Sequence, residues 1–199
     1  MKLGILGGTF DPPHNGHLEI GREVLRALRL DRVVFMVAGS PQLKRNPVIT
    51  PPEQRLAMTE LAVSEEKAFE ASSLEVRREG ATYTAQTLAE MERMGNGKDI
   101  LYFIIGMDNL AGLRSWYNPG EIVRMCHLVV VPRPDTEKTD LLQLEKDIPG
   151  ISRRLIVLEG PLVNISASDI RRKASKGEDI SCLVPPKVAD YIKTNHLYI

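Results

Sequence analysis

Leu3-Gly4-Ile5-Leu6-Gly7-Gly8-Thr9-Phe10-Asp11-Pro12-Pro13-His14-Asn15-Gly16-His17-Leu18 is the stretch that decides the fold. An apolar run short enough to be a buried strand passes into two glycines, then a proline pair, then a helix-compatible sequence. Glycines at a strand's end let the backbone turn sharply and approach a ligand without a Cβ in the way, and Asp11-Pro12-Pro13 keeps the loop extended until a helix begins near Asn15. The order is strand, glycine-rich turn, helix.

His14 and His17 are three residues apart, so on entering the helix they share one face of its first turn, beside its unpaired N–H groups. A helix start already favours phosphate through free donors and partial positive charge. An imidazole adds a donor to a phosphate oxygen, or a full charge where negative charge develops. The alternatives are that the two rings cap the helix or bind a metal as a non-catalytic module. A metal would need further ligands, and only Asp11 is close in sequence.

Working outward, Leu18, Ile20, Val24, Leu25 and Leu28 recur at helical spacing, which predicts a helix over residues 15 to 30 ended by Asp31-Arg32. Val33 to Ala38 is a continuous β-prone run, as in a strand covered on both faces of a parallel sheet. Gly39 to Pro52 is a loop at that strand's carboxyl end, where ligands bind in open α/β sheets. Lys44 and Arg45 there either face a substrate phosphate or are solvated loop charges.

A helix opens at Pro52-Glu53, and Phe69 to Val76 alternates as a strand. Thr82 or Thr84 is placed to cap the helix holding Leu88 and Met91, which either sets hydroxyls and free N–H groups at the ligand edge or is simply a cap. Ile100 to Gly106 is the most hydrophobic run and reads as a central strand. Asp108, just beyond its terminal glycine, can accept from ribose hydroxyls, help hold a divalent cation, or cap a short helix. Trp116-Tyr117 lies in a polar segment closed by Pro119-Gly120, and the tryptophan reads either as a stacking platform or as core filler.

Leu128 to Val131 is a further strand, which brings Arg133 to the ligand edge or leaves it an exposed turn charge. Residues 136 to 151 are polar, with at most a short exposed helix and no chemistry, and Arg154 to Leu158 is the last strand. In Asn164-Ile165-Ser166-Ala167-Ser168-Asp169-Ile170-Arg171 serines precede a helix, with Ser168 able to satisfy its first turn and Arg171 on the same face. A bidentate guanidinium there suits a polyphosphate, while an ordinary capped surface helix is the plainer reading. A C-terminal helix follows Pro185-Pro186.

Twenty-six acidic and twenty-six basic residues leave no net charge across 199 residues, which argues against broad nucleic-acid binding and points to a small-molecule partner. Cys126 and Cys182 lack CxxC spacing and read as packing residues in a reducing compartment. No uncharged apolar run approaches eighteen residues. These features predict a cytoplasmic protein, with no membrane contact and the oligomeric state left open. About six strands alternating with helices, without a separating linker, predict one α/β domain over residues 1–199: a doubly wound, mostly parallel sheet with a small C-terminal helical segment. A dehydrogenase is disfavoured because the glycines do not form G-x-G-x-x-G and no acidic residue ends the second strand.

His14-Asn15-Gly16-His17 resembles the HxGH signature of the nucleotidylyltransferase superfamily, and the run from Gly7 to His17 resembles the nicotinate mononucleotide adenylyltransferase family. Thr82-Tyr83-Thr84 is similar to that family's SYT-like motif, and Gly106-Met107-Asp108 with Trp116 to its GxD and W pair. Ile165 to Arg171 is similar to ISxTxIR, with Ser168 keeping the hydroxyl of the commoner threonine. Leu43 before Lys44 departs from the family's Pro-His-Lys.

The resemblance implies a Rossmann-like nucleotidylyltransferase fold with His14 and His17 catalytic. It implies ATP at Gly8, Thr9, Phe10, His17, Gly106, Asp108, Arg133, Ser168 and Arg171, and the acceptor at Lys44, Thr82, Tyr83, Thr84, Asp108, Trp116 and Tyr117. The implied reaction is adenylyl transfer from ATP to nicotinate mononucleotide without a covalent enzyme intermediate. Mg²⁺ would be carried on the triphosphate rather than in a protein cage. The alternative within the superfamily is pantetheine-phosphate adenylyltransferase, disfavoured by Trp116 and Thr82-Tyr83-Thr84.

Overall fold

The computed structural model describes residues 1–39, 50–132, 139–160 and 164–199. Lys44, Arg45 and Arg133 lie outside the described residues. Six strands form one sheet: β1 (Lys2–Gly8), β2 (Arg32–Val37), β3 (Phe69–Ser72), β4 (Ile100–Gly106), β5 (Cys126–Val131) and β6 (Leu155–Val157). Their order is β3-β2-β1-β4-β5-β6 and every neighbouring pair is parallel, as the doubly wound reading requires. β1 lies beside both β2 and β4, so the order reverses at the β1/β4 boundary. There Gly8 and Gly106 end neighbouring strands, and a crevice opens.

The helices are α1 (Asn15–Leu28), α2 (Pro52–Val63), α3 (Thr84–Met94), α4 (Met107–Gly112), α5 (Pro119–Met125), α6 (Leu141–Asp147), α7 (Ala167–Ser175) and α8 (Pro186–Thr194). Alternation along the strands divides the core between the sheet's two faces. Leu3, Ile5, Val34, Met36, Leu101, Phe103 and Ile105 pack with α3 and α5 on one face. Leu6, Val33, Phe35, Val37, Tyr102 and Ile104 pack with α1 on the other. A third cluster joins Met58 and Ala62 of α2 to Ile170 of α7 and to Val188 and Ile192 of α8.

Several boundaries differ from the sequence reading for local reasons. β3 ends at Ser72 rather than Val76, because the Ser72 hydroxyl accepts the Leu74 N–H at 3.3 Å and starts a turn. α1 stops at Leu28, where Arg29 takes a left-handed conformation. Cys126 is buried, and burial pushes its thiol up to about 12, as befits a packing residue. Cys182 is exposed, so its packing assignment is wrong; its backbone carbonyl is what matters, accepting from the Asn15 side chain at 3.0 Å. Within residues 139–151 Asp140 caps α6, and Glu145 accepts the N–H groups of Ser152 and Gly150, which hold its carboxyl down at about 2. Leu144, Ile148 and Ile151 are buried, so this part of the 136–151 stretch is anchored to the core.

Candidate active site

A cleft of about 710 Å³ opens at the carboxyl ends of β1 and β4, within the usual size range for a cofactor-sized ligand. Its walls include Gly8, Thr9, Phe10, Asp11, His14 and His17 from the first loop. Gly106, Asp108, Trp116 and Tyr117 contribute from the segment after β4, and Glu75, Thr82, Tyr83 and Thr84 from the segment before α3. Asn164 to Ala167, at the start of α7, complete it. Sequence-distant candidates therefore converge, as the sheet topology demands.

The first loop doubles back on itself. Phe10 has φ +50°, in the left-handed region, and its ring lies 2.8 Å from where a Cβ on Gly8 would stand. Glycine is required at position 8 for that approach. The Phe10 ring is almost wholly buried and meets His17 edge-on at 4.9 Å, so it supports the imidazole from below.

His14 and His17 stack with ring centroids 3.6 Å apart, on one face of the first helical turn as their spacing predicts. The His14 backbone N–H donates to Nδ1 of His17 at 3.1 Å. A ring nitrogen that accepts is unprotonated, so in the neutral ring the hydrogen is on Nε2. His17 is thus a fixed-tautomer donor.

The helix start is less open than the sequence implies. The Asn15 N–H donates to the Leu183 carbonyl at 2.9 Å and the His17 N–H to the His14 carbonyl at 2.9 Å. An anion at the start of α1 would therefore meet chiefly ring donors and the helix's partial charge.

Neither Thr82 nor Thr84 caps α3: Tyr83 occupies the cap position in an extended conformation, and Thr84 is the first helical residue. Tyr83 meets Tyr117 at 4.8 Å between ring centroids, and Trp116 meets the core residue Phe103 edge-on at 6.2 Å. The tryptophan combines both sequence readings, lining the cleft while packing partly against the core. Behind this wall Thr87 donates to Glu75 at 2.7 Å and accepts from Arg78 at 3.0 Å, while Arg78 pairs with Glu90 at 2.7 Å. Gly106 caps α4, so Asp108 is in its first turn but is not the cap.

Ser166, not Ser168, caps α7, its hydroxyl accepting the Asp169 N–H at 3.4 Å. Ser168 and Arg171 share a face as predicted, joined at 3.3 Å. They are not part of the cleft wall itself, but Arg171 donates to the Asp11 carbonyl at 2.7 Å, which sets its guanidinium against the first loop.

The sequence reading missed three residues that organise the site. Arg55 is 1% exposed and donates to the carbonyls of Thr9 at 2.7 Å, Gly39 at 3.0 Å and Thr50 at 2.9 Å. Burial draws its pKa below the ordinary value, with nearby Asp11 opposing. Asp11 is itself buried and accepts from the Thr50 N–H at 3.2 Å and from the Tyr198 hydroxyl at 2.7 Å. Asp11 stood inside the quoted motif, but nothing in the sequence paired it with Tyr198.

A parallel sheet with a glycine turn and a histidine pair at its topological switch point defines an α/β protein whose cleft lies where such sheets bind ligands. A family model described as cytidylyltransferase-like matches residues 5–173, and the chain belongs to this family. It is similar over its whole length to a relative from Dehalococcoides mccartyi named "Probable nicotinate-nucleotide adenylyltransferase", with 43% identity over 100% of this chain and 97% of the relative. A Roseiflexus relative of the same name is 43% identical over 98% of this chain and 97% of its own length. Among solved structures, nicotinic acid mononucleotide adenylyltransferase of Plasmodium falciparum complexed with NaAD shares the fold, with a TM-score of 0.80, 19% identity, and coverage of 99% of this chain and 97% of that one.

Proposed function

We propose that the chain transfers the adenylyl group of ATP to nicotinate mononucleotide, giving the deamido form of NAD and pyrophosphate. The observation that carries this reading is one cleft walled by both imidazoles of the signature turn and by Tyr83, Trp116 and Tyr117. The names of its full-length relatives point the same way. Residues 1–199 act as one unit, and the free thiols of Cys126 and Cys182 suit the cytoplasm.

The 5′-phosphate of the acceptor attacks the α-phosphorus in line, a new P–O bond forms, and the bond to the β-phosphate oxygen breaks with its electrons leaving on pyrophosphate. That phosphate is already ionised near neutral pH, so a general base contributes little, and positioning with charge stabilisation dominates. The Nε2–H of His17 donates to charge developing at the α-phosphate, with the His14 ring stacked beneath it. Gly8, Thr9 and the α7 start border the triphosphate, and Asp108 faces the ribose. Trp116 offers a flat surface to the pyridine ring.

Among the described residues no three His, Cys, Asp or Glu side chains converge as metal ligands. Mg²⁺ carried in with ATP would supply neutralisation of phosphate charge.

Arg171→Ala should weaken ATP binding, measured by calorimetry, and Arg171→Lys should restore only part of it, because a point charge lacks the planar fork. Equal ATP affinity in all three proteins would remove Arg171 from the site.

Substrate choice tests the function. The Thr82-Tyr83-Thr84 and Trp116-Tyr117 segments offer N–H and hydroxyl donors around the ring substituent, which favour a carboxylate. An amide would set its NH₂ against one of them, and one buried mismatch costs about 1–3 kcal/mol. Purified protein with ATP and Mg²⁺ should therefore use nicotinate mononucleotide at least about tenfold better in kcat/KM than nicotinamide mononucleotide. Equal use would overturn the specificity. Adenylylation of phosphopantetheine alone would replace the function.

A further inference from the structure

Asp11 sits where four separate parts of the chain meet. Its carboxylate takes the Tyr198 hydroxyl at 2.7 Å on one oxygen and the Thr50 N–H at 3.2 Å on the other. Its carbonyl takes the Arg171 guanidinium at 2.7 Å. Tyr198 is 187 positions away in sequence. It is brought back by a turn after α8 in which His196 and Tyr198 both have positive φ, at +51° and +67°. The left-handed region is sparsely used by residues other than glycine, asparagine and aspartate, so a tyrosine there is held by its contacts rather than by local preference. Burial, and after it the Asp11 carboxylate, hold the phenol far above the usual tyrosine range. It stays a hydrogen-bond donor throughout the working pH range.

Between Asp11 and His14 lie only Pro12 and Pro13, whose ring-fixed φ angles make the connection stiff. A shift of Asp11 is therefore passed on to His14, and from the His14 N–H to Nδ1 of His17. On the acceptor side of the cleft, Tyr83 and Tyr117 rest on each other and Trp116 rests on Phe103.

We propose that Tyr198 is a positioning residue for adenylyl transfer, latching the Asp11–His17 loop from the C-terminal turn so that the His17 donor and Arg171 meet the triphosphate in register. The catalytic part of this inference rests on the function proposed above. The latch itself does not.

The test is Tyr198→Phe, which keeps the ring and removes the hydroxyl. Assayed well below the melting temperature of both proteins, the variant should lose about tenfold in kcat while KM for nicotinate mononucleotide stays within about twofold, since sub-ångström misplacement affects chemistry more than acceptor binding. Asp11→Asn should lose a similar factor, and the double variant should lose little more than either single one, because both break the same contact.

An activity-free readout accompanies these assays. In ¹⁵N spectra of the imidazoles the His17 Nδ1 signal should move in Tyr198→Phe, while His127, near the amino end of β5, should not. A lower melting temperature with unchanged kcat and an unmoved His17 signal would make Tyr198 merely structural and overturn the proposal, as would additive losses in the double variant. If the wild-type protein transfers no adenylyl group, the proposed function fails, and the His17 signal alone decides the latch.

Discussion

His17→Ala should lower kcat by about 10²–10³ while leaving the protein folded, because it deletes a preorganised donor aimed at charge that develops only in the transition state. The geometry makes the donor specific. With Nδ1 occupied by the His14 N–H at 3.1 Å and the ring propped by Phe10 at 4.9 Å, the Nε2–H has one orientation and no reorganisation is needed at the moment of reaction. The same bond makes His17 an accessory to the helix cap, so alanine should also cost about 1 kcal/mol of stability, a typical capping loss. Circular dichroism and a thermal melt would separate the two effects. A folded variant with near-normal kcat would remove His17 from catalysis.

The second large effect is structural. Arg55→Met keeps the length of the side chain but strips the donors from the carbonyls of Thr9, Gly39 and Thr50. An unsatisfied buried acceptor costs about 1–3 kcal/mol, and breaking a buried charged network commonly costs about 3–5 kcal/mol. Urea unfolding should show a loss of roughly that size. Arg55→Lys should recover less than half, because one ammonium cannot reach three carbonyls from a planar fork. A loss below about 1 kcal/mol for Arg55→Met would mean that water replaces the guanidinium, and that the residue is not the clamp described.

The parallel sheet was readable because its inner strands are continuous apolar runs bounded by glycine or charge, such as Val33 to Val37 and Ile100 to Gly106. Features decided by one hydroxyl among several were not. Ser166 and Ser168 are equally good caps on paper, and only the turn geometry gives Ser166 the Asp169 N–H and leaves Ser168 for Arg171. Thr82 and Thr84 likewise flank Tyr83, the residue that actually occupies the cap position. For the site, the motif residues His14, His17, Asp108 and Trp116 could be named in advance, since strand ends gather at one edge. Arg55 read only as one residue of the helix opening at Pro52-Glu53, and Asp11 as part of an extended loop, because their partners are set by tertiary packing that periodicity does not encode.

The reversal of strand order between β1 and β4 also divides the labour of the molecule. Imidazoles and glycine turn descend from β1, whereas Trp116 and Tyr117 descend from β4 and the Thr82-Tyr83-Thr84 segment follows β3. On the proposed function, the histidine pair that serves bond making and the aromatic wall that reads the acceptor thus hang from different strands, joined by the sheet but not by a shared loop. On that same function, exchange of residues 79–84 is expected to retune which acceptor is taken while leaving nucleotide chemistry intact, whereas exchange of the β4-α5 connection would also remove Asp108 from the ribose. A scaffold arranged this way can change its substrates over evolution one loop at a time.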